Sequence, residues 1–235
     1  MFSSKRRTGI AVACAALVSM AVPAGSMAAV KVDLRVEGAS KTLLEKAVAA
    51  SPATLRSNVG PNPGRFPCNV VDNGGSGKRA ATPISALAPT RLKLGLNWYP
   101  EYTGFLVESI RGEDPADPAY WDFWVNGKGA VELEYLGGCQ LGLKKGDSVV
   151  WAVTDGSQAL LVLEASGAGT APSVKLTATN GATGAPVAGA KVGRLTTGAD
   201  GTVEVPRPSR GSVRVKATAD GFIRSNTVKV SARRR

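Results

Sequence analysis

The chain contains no histidine. That absence removes the Ser-His-Asp and Cys-His catalytic arrangements together with the commonest metal ligand. Cysteine is scarce, with three residues, and aromatic side chains make up only 6 % of the 235 positions, so any crowding of aromatics is informative. The one long apolar run, Ile10 to Val22, is shorter than the roughly 20 residues a membrane helix needs. Gly74-Gly75-Ser76-Gly77-Lys78 lacks the spacing of a phosphate-binding loop and reads as a flexible segment. Carboxylates do gather at Glu113, Asp114, Asp117 and Asp122, where a calcium ion or a hydrolytic pair is conceivable. Their spacing matches no EF-hand loop and two prolines interrupt it, so a solvated loop is the better reading. The sequence therefore predicts no catalytic residue, no metal site and no cofactor.

The N-terminus has the order of a secretory signal. Lys5-Arg6-Arg7 precede the apolar run, Pro23-Ala24-Gly25 break it, and Ser26-Met27-Ala28 supply the small-x-small cleavage pattern. Residues 1–28 are expected to be removed, taking Cys14 with them and leaving no transmembrane span. Cys68 and Cys139 then remain, an even number in an exported chain, and read as one disulfide; two buried free thiols are the cytosolic alternative. Such a long loop closure contributes about 4 to 5 kcal/mol at most in the chain-entropy picture. Loss of the three N-terminal basic residues lowers the net charge from +11 to +8. A basic exported protein is drawn to anionic surfaces such as cell-wall polymers or lipid headgroups, rather than to nucleic acid. The basic residues are scattered apart from the tail at 233–235, which favours ordinary solvated surface over a dedicated polyanion site.

Gly and Pro content with few long periodic runs predicts a mainly β protein. From Val30 to Glu37 apolar and charged residues alternate strictly, the pattern of a strand with one wet face. Thr42 to Ala50 suits a helix or a second strand, and residues 51–85 read as a long loop tied down by Cys68. Thr82-Pro83 offers an N-cap and a first-turn proline for a short helix. Residues 167–172 form a small-residue linker, the clearest boundary in the sequence. Beyond it, alternating pairs from Val174 to Val230, separated by Asn-Gly, Asp-Gly and Arg-Gly turns, predict a small antiparallel β-sandwich over 173–232.

The densest aromatic segment is Tyr120-Trp121-Asp122-Phe123-Trp124-Val125, followed by Asn126-Gly127, the residue pair that best fits a type I′ hairpin turn. As a strand it points Trp121, Phe123 and Val125 one way, with Trp151 of a later strand as a further core residue, and Tyr120, Asp122 and Trp124 the other. A strict hairpin register would set Asp122 against Val131 and Trp121 against Glu132, so a bulge near Gly129 or a very short return strand is expected. Trp98, Tyr99, Tyr102, Tyr120 and Trp124 are the candidate ligand-binding residues: converging on an open face, they would stack on a sugar ring or a flat hydrophobic ligand. The competing reading, that they cover both faces of a small sheet or an interdomain contact, is favoured.

The opening VKVDLRVEGA, Cys68, the Pro83 to Ala88 segment, SIRGE at Ser109 to Glu113, YWDFWVNGK, Cys139 and LKKGDSVVW together resemble the transcobalamin-like C-terminal domain family. This resemblance spans roughly residues 29–154 and implies a β-grasp-like α+β domain, placed at 29–166. Relatives include one half of the vertebrate cobalamin carriers, so a corrinoid is an implied ligand, although the large helical partner domain of those carriers has no counterpart here. GAPVAGAKV, TTGADGTVEVP and VKATADGFIRSN resemble the carboxypeptidase-regulatory-like or bacterial Ig-like β-sandwiches, which serve as spacers or adhesion units. The combined expectation is an exported, non-enzymatic protein that binds or displays at the cell surface, its partners a cell-wall polymer or a surface protein, the alternative being capture of a corrinoid or carbohydrate.

Overall fold

The computed structural model describes residues 28–129, 131–167 and 170–233. The expected signal segment, apart from Ala28, and the last two arginines lie outside them. Strands hold 46 % of the described residues and helices 6 %, so the protein is mainly β. Among the described residues no helix is long and apolar enough to cross a membrane.

The first half contributes eight strands: β1 (Val30–Glu37), β2 (Thr42–Ala50), β3 (Ala53–Ser57), β4 (Gly64–Cys68), β5 (Leu94–Tyr99), β6 (Gly104–Ile110), β7 (Tyr120–Val125) and β8 (Ser148–Thr154). They form a sheet in the order β2-β1-β8-β7 and two separate hairpins, β3-β4 and β5-β6. Within the sheet β1 runs parallel to β8, pairing Leu34 with Val149 and Val36 with Trp151, while β7 returns antiparallel to β8. The ambiguous Thr42–Ala50 segment is therefore a strand, not a helix. Once β1 is fixed, pairing β2 beside it satisfies a ladder of backbone groups that an isolated short helix leaves to water. The expected long loop of residues 51–85 likewise contains the β3-β4 hairpin, whose strands pair from Ala53–Cys68 to Ser57–Gly64.

The anticipated short helix is a 3-10 segment, Ser85–Thr90. Thr82 and Ser85 bond reciprocally across the turn that leads into it: the Thr82 N–H donates to Ser85 Oγ at 2.8 Å, and the Ser85 N–H to Thr82 Oγ1 at 3.2 Å. The segment lies over the apolar face of the sheet, where the Trp151 indole donates to the Pro83 carbonyl at 3.1 Å. Ile84, Leu87, Leu34, Val36, Trp121, Phe123, Val125, Val149 and Trp151 share this first core. Cys68 and Cys139 are disulfide-bonded within it.

Asn126 and Gly127 have φ angles of 53° and 82°, the two positive values of a type I′ turn. The return strand shrinks to a single bridge between Val125 and Lys128. The turn also explains why residue 127 has no side chain: a Cβ there would come within 2.2 Å of the Gly181 carbonyl.

The second half holds β9 (Ala159–Ser166), β10 (Ser173–Asn180), β11 (Lys191–Val192), β12 (Leu195–Thr196), β13 (Thr202–Pro206), β14 (Ser212–Val215), β15 (Ala217–Thr218), β16 (Phe222–Ile223) and β17 (Val228–Ser231). They form sheets in the orders β13-β10-β9-β16, β12-β11-β15 and β14-β17 around a second core that includes Leu161, Leu163, Leu176 and Val230. The expected linker at 167–172 joins β9 to β10, which are hydrogen-bonded neighbours. β9 thus belongs to the second core rather than the first. The change of core falls between β8 and β9.

Where the halves meet, the expectation of a wet face on β1 is corrected. Lys31 and Asp33 are exposed, but Arg35 and Glu37 are 5 % and 1 % exposed, covered by the second half. Glu37 receives Thr42 Oγ1 at 2.9 Å, Lys216 Nζ at 2.6 Å and Arg224 Nε at 3.1 Å, and Arg35 donates to the Arg224 carbonyl at 2.7 Å. Burial lowers the Arg35 pKa against the opposing pull of Glu37 and Glu45. Beside this charged group, Trp124, Val150, Ala152, Leu160 and Ile223 make a small apolar cluster shared by both halves.

Candidate functional site: an aromatic cleft beside the disulfide

The five aromatic candidates do not share one face. Trp98 is buried, its ring stacked on Phe66 at 4.4 Å with planes 2° apart and edge-on to Phe105 at 5.0 Å. Trp124 lies on the opposite face of the sheet from Trp121, Phe123 and Val125, packed between the halves and 6 % exposed. Tyr120 is on that same face, 44 % exposed near the strand end. Tyr99 and Tyr102 come together at one open cavity, with ring centroids 6.4 Å apart, while Tyr120 and Trp124 line a different one on the far face of the sheet.

That cavity, about 590 Å³, lies between the tip of the β5-β6 hairpin and the segment carrying Tyr135 to Gln140. The hairpin tip is a Pro100–Tyr102 3-10 turn, which lifts the Tyr102 ring into solvent at 72 % exposure. Across from it stands Tyr135, 76 % exposed, with Leu106 and Leu136 also showing apolar surface. A second cavity of about 230 Å³ shares Phe105, Leu106, Tyr135 and the two glycines 137 and 138, and reaches Ile84, Phe123 and Trp151. Isolated exposed apolar residues are ordinary, but four of them lining adjoining cavities are a patch.

The walls are held from below. The disulfide brings the Cα atoms of Cys68 and Cys139 to 4.8 Å, and Cys139 itself lines the cleft. Gln140 Oε1 accepts from the Gly137 N–H at 2.7 Å, while its Nε2 donates to the Asn73 carbonyl at 3.0 Å. Asn73 is fully buried and its Nδ2 donates to the Pro67 carbonyl at 2.9 Å and the Thr103 carbonyl at 2.7 Å. One residue, through its side-chain amide and its backbone carbonyl, thereby ties together the segments of Pro67, Thr103 and Gln140. At Gly138 a Cβ would stand 2.7 Å from Ile84 Cγ1, so the wall closes onto the core only without a side chain.

Chemically the cleft offers ring faces and few charges. Glu101 is the charged residue at the larger cavity and Asp122 at the smaller. Burial raises the Asp122 pKa, partly offset by the Phe123 N–H, which donates to its Oδ1 at 2.8 Å. Among the described residues no group of three or more His, Cys, Asp or Glu side chains is placed to hold a metal ion. The Glu113 carboxylate from the acidic segment instead accepts from the Ala39 N–H at 2.6 Å. Tyr135, Leu106, Gln140 and Asn73 were not singled out from sequence. Tyr135 sits in an aperiodic segment, and Asn73, inside a Gly-rich stretch, reads as a loop residue although it is buried.

Comparison with protein-family models, curated proteins and solved structures gave no significant match in any of the three.

Proposed function

We propose that this chain is an exported, non-enzymatic binding protein whose aromatic cleft takes the flat face of a small ligand, a corrinoid or a carbohydrate ring. The observation that carries the reading is the pairing of Tyr102 and Tyr135, both largely exposed, across a cavity of about 590 Å³ in the size range of small-molecule sites. Exposed tyrosines on opposite walls attract ring systems by stacking at low conformational cost. The absence of histidine from the sequence supports a non-enzymatic role.

The reading includes a β-grasp-like first module and an Ig-like or carboxypeptidase-regulatory-like second one. In favour of the first are the β2-β1-β8-β7 order, the parallel β1/β8 pair and a short helical segment, Ser85–Thr90, over one face. In favour of the second are the short paired strands around one core. A display or spacer role at the cell surface, with a cell-wall polymer or surface protein as partner, is supported by a different feature. The buried ion group at Glu37 fixes the two halves to each other, which suits a rigid arm.

The deciding experiment is isothermal titration of the oxidised protein with cobalamin, related corrinoids and neutral oligosaccharides. Saturable binding of one class, lost in a Tyr102→Ala, Tyr135→Ala double variant that melts normally, is the expected result. Absence of heat with every ligand at high concentration refutes capture in the cleft and leaves the display role.

A further inference from the structure

A third cavity, of about 400 Å³, opens on the other face of the sheet, where the β7 strand meets the turns of the second half. Its chemistry differs from that of the cleft. Asp122 and Glu132 line it, and no lysine or arginine does, in a chain whose overall charge is strongly positive. Each carboxylate spends one oxygen on a neighbouring backbone N–H: Asp122 Oδ1 on Phe123 at 2.8 Å, and Glu132 Oε2 on Gly129 at 3.0 Å. The second oxygen of each has no hydrogen-bond partner among the described residues. Burial raises the Asp122 pKa, and the Tyr120 pKa is raised by burial and then by Asp122 and Asp155; a positive charge in this place relieves both.

Acidic residues alone make no site, but a second observation stands beside them. Trp124 is 6 % exposed, yet its Nε1–H makes no hydrogen bond among the described residues, whereas the indoles of Trp121 and Trp151 donate to the Glu113 and Pro83 carbonyls. An indole side chain this largely buried ordinarily finds an acceptor for its N–H. Gly129, which also lines the cavity, leaves the approach to that nitrogen open: a Cβ there would come within 2.8 Å of Nε1. Gln158 adds an amide at the same wall. Its oxygen is occupied by Thr154 and the Asp155 N–H, which leaves its two N–H donors for a ligand.

The pocket thus presents carboxylate oxygens for a cation, N–H donors for hydroxyl oxygens, and the exposed rings of Tyr120 and Tyr135 for a flat, weakly polar face. We infer that it binds a protonated amino sugar, the amine against Asp122 and Glu132, ring hydroxyls on Trp124 Nε1 and Gln158, and the sugar face on a tyrosine. A simple aliphatic amine leaves the donors unused. A neutral sugar leaves the carboxylates without a counter-charge. This site is distinct from the larger cavity of the aromatic cleft, with which it has Tyr135 in common, and it shares Tyr135 and Asp122 with the smaller one.

The test is isothermal titration of the full, oxidised chain at neutral pH with four probes: the glucosamine disaccharide with both amines free, its N-acetylated form, a glucose disaccharide and a short aliphatic diamine. The expected result is saturable binding of the free-amine disaccharide, one per chain, at least about tenfold tighter than each of the other three. Asp122→Asn, which keeps the acceptor for the Phe123 N–H, and Glu132→Gln should each weaken it by about tenfold without lowering the melting temperature. Tyr102→Ala, in the other cleft, should leave it unchanged. Equal affinity for the acetylated sugar or the diamine, full affinity in both carboxamide variants, or absence of saturation with every probe overturns the assignment.

Discussion

The two faces of the β2-β1-β8-β7 sheet are built to opposite rules. One carries Leu34, Val36, Phe123 and Trp151 into an apolar core with the Ser85–Thr90 segment over it. The other carries Arg35, Glu37, Asp122 and Trp124, and is covered by residues about 190 positions away, such as Arg224 on Arg35 and Glu37. The first face is stabilised by removal of apolar area from water, a non-directional effect that tolerates approximate shape. On the second, charges are buried, and burial is tolerated only where each charge meets its partner. The contrast separates what specifies a sheet from what specifies how a second layer seats on it.

Glu37→Ala is the severest way to break the second face. It leaves Arg35, Lys216 and Arg224 without their shared carboxylate and should cost about 3 to 5 kcal/mol in urea denaturation. Leu34→Ala, its counterpart on the apolar face, should cost about 2 to 5 kcal/mol by cavity formation.

Asp122→Asn sharpens the comparison in the other direction. Because burial raises the folded-state pKa of Asp122, its contribution to stability is fully present below its unfolded pKa and is lost as pH rises through the folded one. The variant should therefore melt higher than wild type near neutral pH and match it in acid. A gain of stability on removing a charge is the behaviour of a group kept for binding rather than for folding.

Glu45 gives the smaller and opposite effect. Burial works to raise its pKa, but the Thr227 hydroxyl and N–H and the Lys216 ammonium outweigh it, so the pKa is lowered. Its stabilisation is present above the unfolded carboxylate pKa and fades as pH falls through the folded value. A stability-against-pH curve of Glu45→Gln should converge on wild type in strong acid. Least affected of all should be Tyr102→Ala, whose exposed ring changes the melting free energy by about 0.5 kcal/mol or less.

What the sequence made legible follows the same division. The alternation in β1, the aromatic row of β7, the positive-φ turn at Asn126-Gly127 and the cysteine pair are local or purely arithmetic signals, and each has its counterpart in the structure. Period-two patterning states which residues share a face but not what lies on it. Arg35 and Glu37 read as wet because charged residues ordinarily are, and Lys216 and Arg224, which cover them, lie far along the chain. The small residues at 167–172 read as a boundary although the strands on either side of them pair with each other, since hairpin loops and linkers draw on the same residue types. The cleft was half visible: Tyr99 and Tyr102 stand among the candidate aromatics, but Tyr135, which lines the same cavity, comes from a segment without periodicity.

The parallel pairing of β1 with β8 has a mechanical corollary. The chain enters the sheet at Val30 and leaves it at Thr154, and the two strands point the same way. Tension between a point before residue 30 and a point beyond residue 154 draws β1 backward and β8 forward along one line. The ladder from Asp33–Ser148 to Glu37–Ala152 is then loaded in shear, its bonds sharing the force instead of parting one after another as in a peeled hairpin. A protein tethered at one end and pulled at the other would find its strongest joint in the middle of its first sheet.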